Sequence, residues 1–281
     1  MVARGAGVGP AGRSRDRPGP SYSIASDGML HPVWRQTAVG RRPIPPSQEP
    51  EVMQLQTWLE QLNDPQRAAA TYGEGPVLVI AGAGSGKTRT LACRVAWLVA
   101  QGIAPERILL LTFTRRAALE MLERAGQLLG QGGSPAARVW GGTFHAVANR
   151  LLRQYGRALG LNPEFTVVDQ SDAADLMNLI RSDLQLGEKG RRFPQKGTLI
   201  AIYSRMVNAT QPLEEVLKLH FPWCQQAGDG VRQVFQEYTA RKRRHQVLDY
   251  DDLLLFWRAL LDVPTVGRAI EEQFDHILVD E

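Results

Sequence analysis

The stretch "PVLVIAGAGSGKT", Pro76 to Thr88, decides the fold. Its first six residues are a short continuous apolar run bounded by glycines, which is how a parallel strand buried on both faces reads. The last eight, "AGAGSGKT", which share Ala81 with that run, meet the needs of a loop that wraps phosphates. Gly82, Gly84 and Gly86 free the backbone N–H groups to point inward, and the helix that follows adds its N-terminal dipole. Lys87 suits β- and γ-phosphates, and the hydroxyl of Thr88 suits Mg²⁺. Ala81 stands where the strict pattern has Gly, which is tolerable if that residue ends the strand. The glycine spacing does not make GxGxxG, so a dinucleotide fold is excluded. A site for a nucleoside triphosphate, built from Ala81, Gly82, Ala83, Gly84, Ser85, Gly86, Lys87 and Thr88, is the expectation.

Working outward, strand and helix alternate. "RILLLTF" (Arg107 to Phe113) is a second buried strand followed by the helix "RRAALEMLERAGQLL", and "RVWGGTFHA" is a third strand and turn leading into "VANRLLRQYGRAL". Alternation of this kind predicts an α/β fold, a parallel sheet with helices on both faces. Between residues 163 and 247 it stops: helical stretches such as "SDAADLMNLIRSDL" and "GVRQVFQEYTARKRRH" follow one another with no apolar strand between them. An all-helical subdomain inserted into the sheet domain is predicted there. "HILVDE" then returns to a buried strand that ends in two carboxylates. The expected divisions are a tail over 1–52, the sheet domain over 53–162 and 248–281, and the insertion over 163–247.

Composition bounds the rest. With 281 residues and 43% hydrophobic content the chain can bury substantial cores, and no apolar run is long enough to span a bilayer. No secretory signal is evident, so a cytoplasmic location without membrane contact is expected. Cys93 and Cys224 show no pairing or metal spacing and read as reduced thiols. The net charge of +4 lies in the first fifty residues, where seven arginines face Asp16, Asp27 and Glu49; residues 51–281 balance. That Gly-, Pro- and Arg-rich stretch is too poor in apolar residues to repay ordering and is expected to be disordered. It reads as an unstructured extension, or as translation begun upstream of a true start at Met29 or Met53, with a basic arm that gathers nucleic acid as the functional alternative.

Taken together, "LNDPQRAA", "AGAGSGKTRTL", "LTFTRRAALEM", "GTFHA", "LDYDDLL" and "ILVDE" stand in the order and spacing of the UvrD/Rep/PcrA-type superfamily 1 DNA helicases, which the chain resembles from Leu62 to Glu281. The resemblance implies a RecA-like ATP-binding domain, ATP and Mg²⁺ as cofactors, and single-stranded DNA and its junctions with duplex as partners. It gives Gln66 the adenine edge, with Arg67 beside it and Arg89 near the nucleotide. Lys87, Asp280 and Glu281 become the catalytic set: Thr88 and Asp280 would hold Mg²⁺, and Glu281 would deprotonate the attacking water. The DNA contacts implied are Thr112, Phe113, Thr114, Thr143, Phe144, His145 and Tyr250. "TFTRRAA" departs from the commoner "TFTNKAA" in having Arg115 and Arg116, which keeps positive charge.

The residues themselves leave milder readings open. Asp249, Asp251 and Asp252 can be first-turn capping groups, and "RKRRH" (Arg241 to His245) reads as a solvated helix end. The resemblance implies an ATP-dependent 3′ to 5′ DNA helicase whose second RecA-like domain lies outside these 281 residues, so that the polypeptide alone is expected to unwind nothing. A subunit of a recombination helicase-nuclease, a small-molecule kinase and a non-catalytic ATP- or DNA-binding remnant are the alternatives.

Overall fold

The computed structural model describes residues 22–24, 30–32, 57–73, 75–129, 138–187 and 193–280. The chain divides into a unit of Met1–Pro45 and a unit of Pro46–Glu281. In the first unit, β1 (Tyr22–Ile24) and β2 (Leu30–Pro32) pair antiparallel with Ser23 opposite His31, two strands that composition did not signal. The rest of the expected disordered tail lies outside the described residues.

In the second unit the chain runs through α1 (Asp64–Ala70), α2 (Lys87–Ala100), β3 (Ile108–Thr112), α3 (Arg115–Leu128), β4 (Trp140–Thr143) and α4 (Phe144–Tyr155). There follow β5 (Thr166–Val167), α5 (Gln170–Asp183), α6 (Lys196–Ala209), α7 (Leu213–His220), α8 (Gly228–His245) and β6 (Val247–Leu248). The last elements are α9 (Tyr250–Leu261), α10 (Pro264–Gln273) and β7 (His276–Val279).

Strands β4, β3 and β7 form a parallel sheet in that order, with Leu111 opposite both Gly142 and Val279. All five residues of β3 are buried, and its alternating side chains feed two layers. Ile108 and Leu110 pack with Val95 and Leu98 of α2 and Met121 and Ala125 of α3. Leu109 and Leu111 pack on the opposite face with Val147 and Leu151 of α4, Leu253 and Leu260 of α9, and Ile270 of α10. The architecture is therefore the RecA-like α/β one, a parallel sheet with helices on both faces. Burying a side chain such as Ile108 or Leu110 contributes about 1.5–3 kcal/mol, so β3 anchors both layers.

The apolar run before the loop departs from expectation. Residues 76–80 join no ladder, and Leu78 and Ile80 are 84% and 89% exposed. Likewise β7 is only half covered, with Ile277 and Val279 exposed and Leu278 buried. The physical reason is shared. A continuous apolar run is buried only where strands flank it on both sides, and among the described residues the sheet stops at β7.

The helical segment α5 to α8 has a core of its own, built from Met177, Ile180, Leu199, Ile202, Val216, Val234 and Tyr238. Its two crossings are tied together by β5 and β6, which pair parallel, Thr166 with Val247 and Val167 with Leu248. Asn162 Nδ2 adds a 2.8 Å bond to Gln246 Oε1 beside that ladder.

Candidate nucleotide site and nucleic-acid interface

Helix α2 begins at Lys87, directly behind the glycine loop, and its N-cap Gly86 takes a left-handed conformation (φ 82°, ψ 23°). Gly84 is also left-handed, at φ 76°. A side chain at Gly86 would be strained and would meet Gln66 Nε2 at 2.9 Å, whereas the space before Gly82 and Gly84 is open. Unpaired backbone N–H groups at a helix start are suited to holding an anion. The Lys87 ammonium donates to the carbonyls of Ala81 and Gly82 at 3.0 and 3.1 Å, and the Ser85 hydroxyl donates to Gly82 O at 2.7 Å. These loop carbonyls hold the lysine against the loop, and an anionic acceptor would be a stronger partner for it.

Gln66 sits against the loop through a capping box. Asn63 caps α1 by accepting from Gln66 N, while Gln66 Oε1 accepts from Asn63 N at 3.1 Å. Its Nε2 donates to Ser85 O at 2.8 Å. A side-chain amide has two N–H groups and two lone pairs, so one donor and one acceptor remain, which is what an adenine edge needs. Arg94, which the sequence did not single out, fixes this helix: buried on α2, its Nη1 reaches Tyr72 O at 2.8 Å and Ala70 O at 3.3 Å.

Arg67 and Arg89, expected beside the nucleotide, are both engaged by protein groups. The Arg67 guanidinium donates to Leu59 O (3.0 Å) and Leu62 O (2.9 Å), bracing the segment before α1. Arg89 Nη2 donates to Gln61 Oε1 at 3.0 Å, with its guanidinium over Trp58. Backbone carbonyls hold Arg67, and the Gln61 amide and the Trp58 face hold Arg89, whose buried Nε has no hydrogen-bond partner.

The carboxyl ends of β3, β4 and β7 are level, as the register dictates. Asp280 follows β7 there, its N–H donating to Leu111 O at 2.9 Å. Glu281 lies outside the described residues. Among the described residues no group of three His, Cys, Asp or Glu could hold a metal by protein ligands alone. A Mg²⁺ ion that keeps waters and is shared between a triphosphate, the Thr88 hydroxyl and Asp280 fits this donor set, since Mg²⁺ is usually held by one or two protein oxygens plus phosphate.

The same edge gathers most of the expected DNA contacts. Thr114 caps α3 and Thr143 caps α4, each hydroxyl accepting from the backbone N–H three residues on, Ala117 at 3.1 Å and Ala146 at 3.2 Å. Each keeps its own hydroxyl hydrogen for an acceptor such as a phosphate oxygen. Phe113 is 69% exposed with its ring centroid 6.0 Å from that of Phe144, and His145 lies 5.3 Å from Tyr250. Burial lowers the His145 pKa below the usual histidine range against a smaller opposing pull from Asp251, which favours the neutral ring. Thr112 does not belong to this face. It is 1% exposed and its hydroxyl donates to Thr114 O at 2.8 Å, because β3 is covered on both of its faces.

Two sequence readings change at α8 and α9. Asp249 and Asp252 do cap α9 through a capping box, yet they are buried. Lys242, read as part of a solvated helix end, is 4% exposed and donates to both at 2.6 Å. A signal for it existed: Val231, Val234, Phe235, Tyr238 and Lys242 recur at helical spacing, so the lysine continues the apolar stripe of α8.

Residues 62–281 match the family model described as the UvrD/REP helicase N-terminal domain. The chain is 37% identical over 231 residues to the ATP-dependent DNA helicase PcrA of Leuconostoc citreum, covering 82% of this chain and 30% of that protein. It is 37% identical over 237 residues to DNA helicase II of Escherichia coli strain K12, covering 82% and 31%. With the ATP-dependent DNA helicase UvrD1 of Mycobacterium tuberculosis it shares 34% over 235 residues, covering 79% and 28%. The chain thus spans less than a third of the length of these relatives.

Proposed function

Because the chain belongs to the UvrD/REP helicase N-terminal domain family, we propose that it is the ATP-binding part of an ATP-dependent DNA helicase that moves 3′ to 5′ on single-stranded DNA. Junctions of single and double strands in repair or replication are its substrates. The observation that carries the reading is the glycine cradle at the start of α2, with the Lys87 ammonium poised over it at 3.0 and 3.1 Å from loop carbonyls. Triphosphate oxygens take the place of those carbonyls, and Gln66 offers its remaining N–H and lone pair to the adenine edge. Thr88 and Asp280 are the residues that would hold Mg²⁺, which when bound offsets charge on the β- and γ-phosphates. Glu281 is assigned to the attacking water.

Single-stranded DNA lies on the carboxyl edge of the sheet. Phe113 and Tyr250 offer faces for bases, each such stack being worth about 1–3 kcal/mol irrespective of sequence, and the Thr114 and Thr143 hydroxyls bond phosphates. The 281-residue sequence holds one phosphate loop and no second nucleotide-binding motif. Translocation needs two bodies moving against each other, so this polypeptide by itself binds nucleotide and DNA without unwinding.

A fluorescent ATP analogue tests the cradle. Lys87→Ala, which removes a charge-assisted donor, weakens its binding by about 10- to 100-fold and leaves oligo-dT binding unchanged; equal affinity in the variant would sink the assignment. Strand separation by the purified 281 residues, lost in Lys87→Ala, would refute the second part. Direction is read from a chimera in which residues 62–281 replace the matching part of the Leuconostoc citreum helicase, assayed on 3′- and 5′-tailed duplexes.

A further inference from the structure

The first turn of α9 carries three carboxylates and one tyrosine, and the helical segment α5 to α8 holds all three carboxylates. Asp249 Oδ2 accepts from Lys242 Nζ at 2.6 Å and from the Tyr238 hydroxyl at 2.7 Å, and Asp252 Oδ2 accepts from the same ammonium at 2.6 Å. Asp251 accepts from the Ser204 hydroxyl at 2.5 Å and the Asn208 amide at 2.9 Å, both on α6. The one remaining residue, Tyr250, is 44% exposed and faces His145 on α4. Lys242, Asp249 and Asp252 are each less than 7% exposed.

Such a cluster is an expensive way to fill space. Desolvating three ions costs several kcal/mol each, and apolar residues of the same volume often serve stability as well or better. What an ionic cluster supplies instead is a fixed geometry, since each bond has a direction that an apolar contact lacks. Here every bond converges on the turn that displays Tyr250.

We propose that Lys242 is a positioning residue for the nucleic-acid face: from the core of the helical segment it grips Asp249 and Asp252, and so sets Tyr250 beside His145 in the place where it stacks on a base. The stacking part rests on the DNA reading given above; the positioning part does not. The ordering of Tyr250 depends on the helical segment, which thereby contributes to the DNA face from within its own core.

The test uses the 281-residue protein and three readouts: the ring resonances of His145, assigned with His145→Gln, the affinity for oligo-dT, and the affinity for a fluorescent ATP analogue. Lys242→Met is expected to move the His145 resonances as Tyr250→Ala does, to weaken oligo-dT binding about tenfold, and to leave ATP affinity unchanged. In the Tyr250→Ala background Lys242→Met should add no further loss of DNA affinity. Should Lys242→Met not fold, Asp252→Asn keeps the cap's shape while weakening the ion pair, and the same changes are expected in smaller measure. Unmoved His145 resonances in either folded variant overturn the proposal, as do losses that multiply in the double variant. Moved resonances with full DNA affinity in Tyr250→Ala uphold the positioning and refute the DNA reading.

Discussion

At the residue scale, His145 shows how one side chain reports on its surroundings. Burial lowers its pKa, with Asp251 opposing. The folded state therefore binds the proton less readily than the unfolded chain, whose histidine titrates near ~6.5. The stability that follows is fully present above that value and is lost as pH falls through it towards the lowered folded pKa. His145→Gln should lose less stability than the wild type as pH falls below about 6.5, checked by urea midpoints at descending pH; parallel curves would contradict it. Other residues show why type alone misleads. Thr112 and Thr114 stand two apart in "TFT", yet one is buried and the other caps α3. Arg89 takes its partner, Gln61, from a segment that the sequence does not place beside it, whereas Arg67 and Lys242 are held by groups within ten residues whose approach only the folded turns decide.

At the element scale, α2 and its loop were the most legible part of the molecule. A left-handed N-cap needs glycine, a helix start supplies unpaired N–H groups, and Lys87 begins the helix where the motif puts it. Gly86→Ala joins a positive φ to a clash with the Gln66 amide. It is expected to destabilise by roughly 1–2 kcal/mol and to weaken ATP binding, measured by denaturation midpoints and by titration with the fluorescent analogue. Least legible was the segment 76–80 before that loop. Its apolar run has the local pattern of a buried strand, but the pattern describes what a segment can join and says nothing about whether neighbours are there to receive it. Between these extremes lies α8, whose stripe was visible while its lysine was set aside because charged residues are usually solvated.

At the scale of the whole molecule, Pro46–Glu281 holds a sheet-centred core and a separate helical core, connected through the β5–β6 ladder and the Lys242 cluster. Among its described residues no helix is long and apolar enough to cross a membrane. Runs of exposed apolar side chains stand at residues 77–80 and at Ile277 and Val279 of β7, besides single ones elsewhere such as Leu119 and Trp223. Unpaired strand edges with apolar side chains are templates for association. The 281-residue polypeptide is accordingly expected to self-associate in solution, and Leu78→Lys with Ile80→Lys to raise the monomer fraction seen by sedimentation. An unchanged distribution would mean that these residues do not drive it. By itself the sequence determined the alternation that makes a parallel sheet, the phosphate loop and the family, because periodicity, glycine placement and motif order are local properties of the chain. Only the tertiary structure decided which side chains gather at the carboxyl edge of the sheet, which cations are buried, and that the run before the loop stays exposed. Burial and partnership depend on elements far apart in sequence, and no local pattern records whether those elements meet.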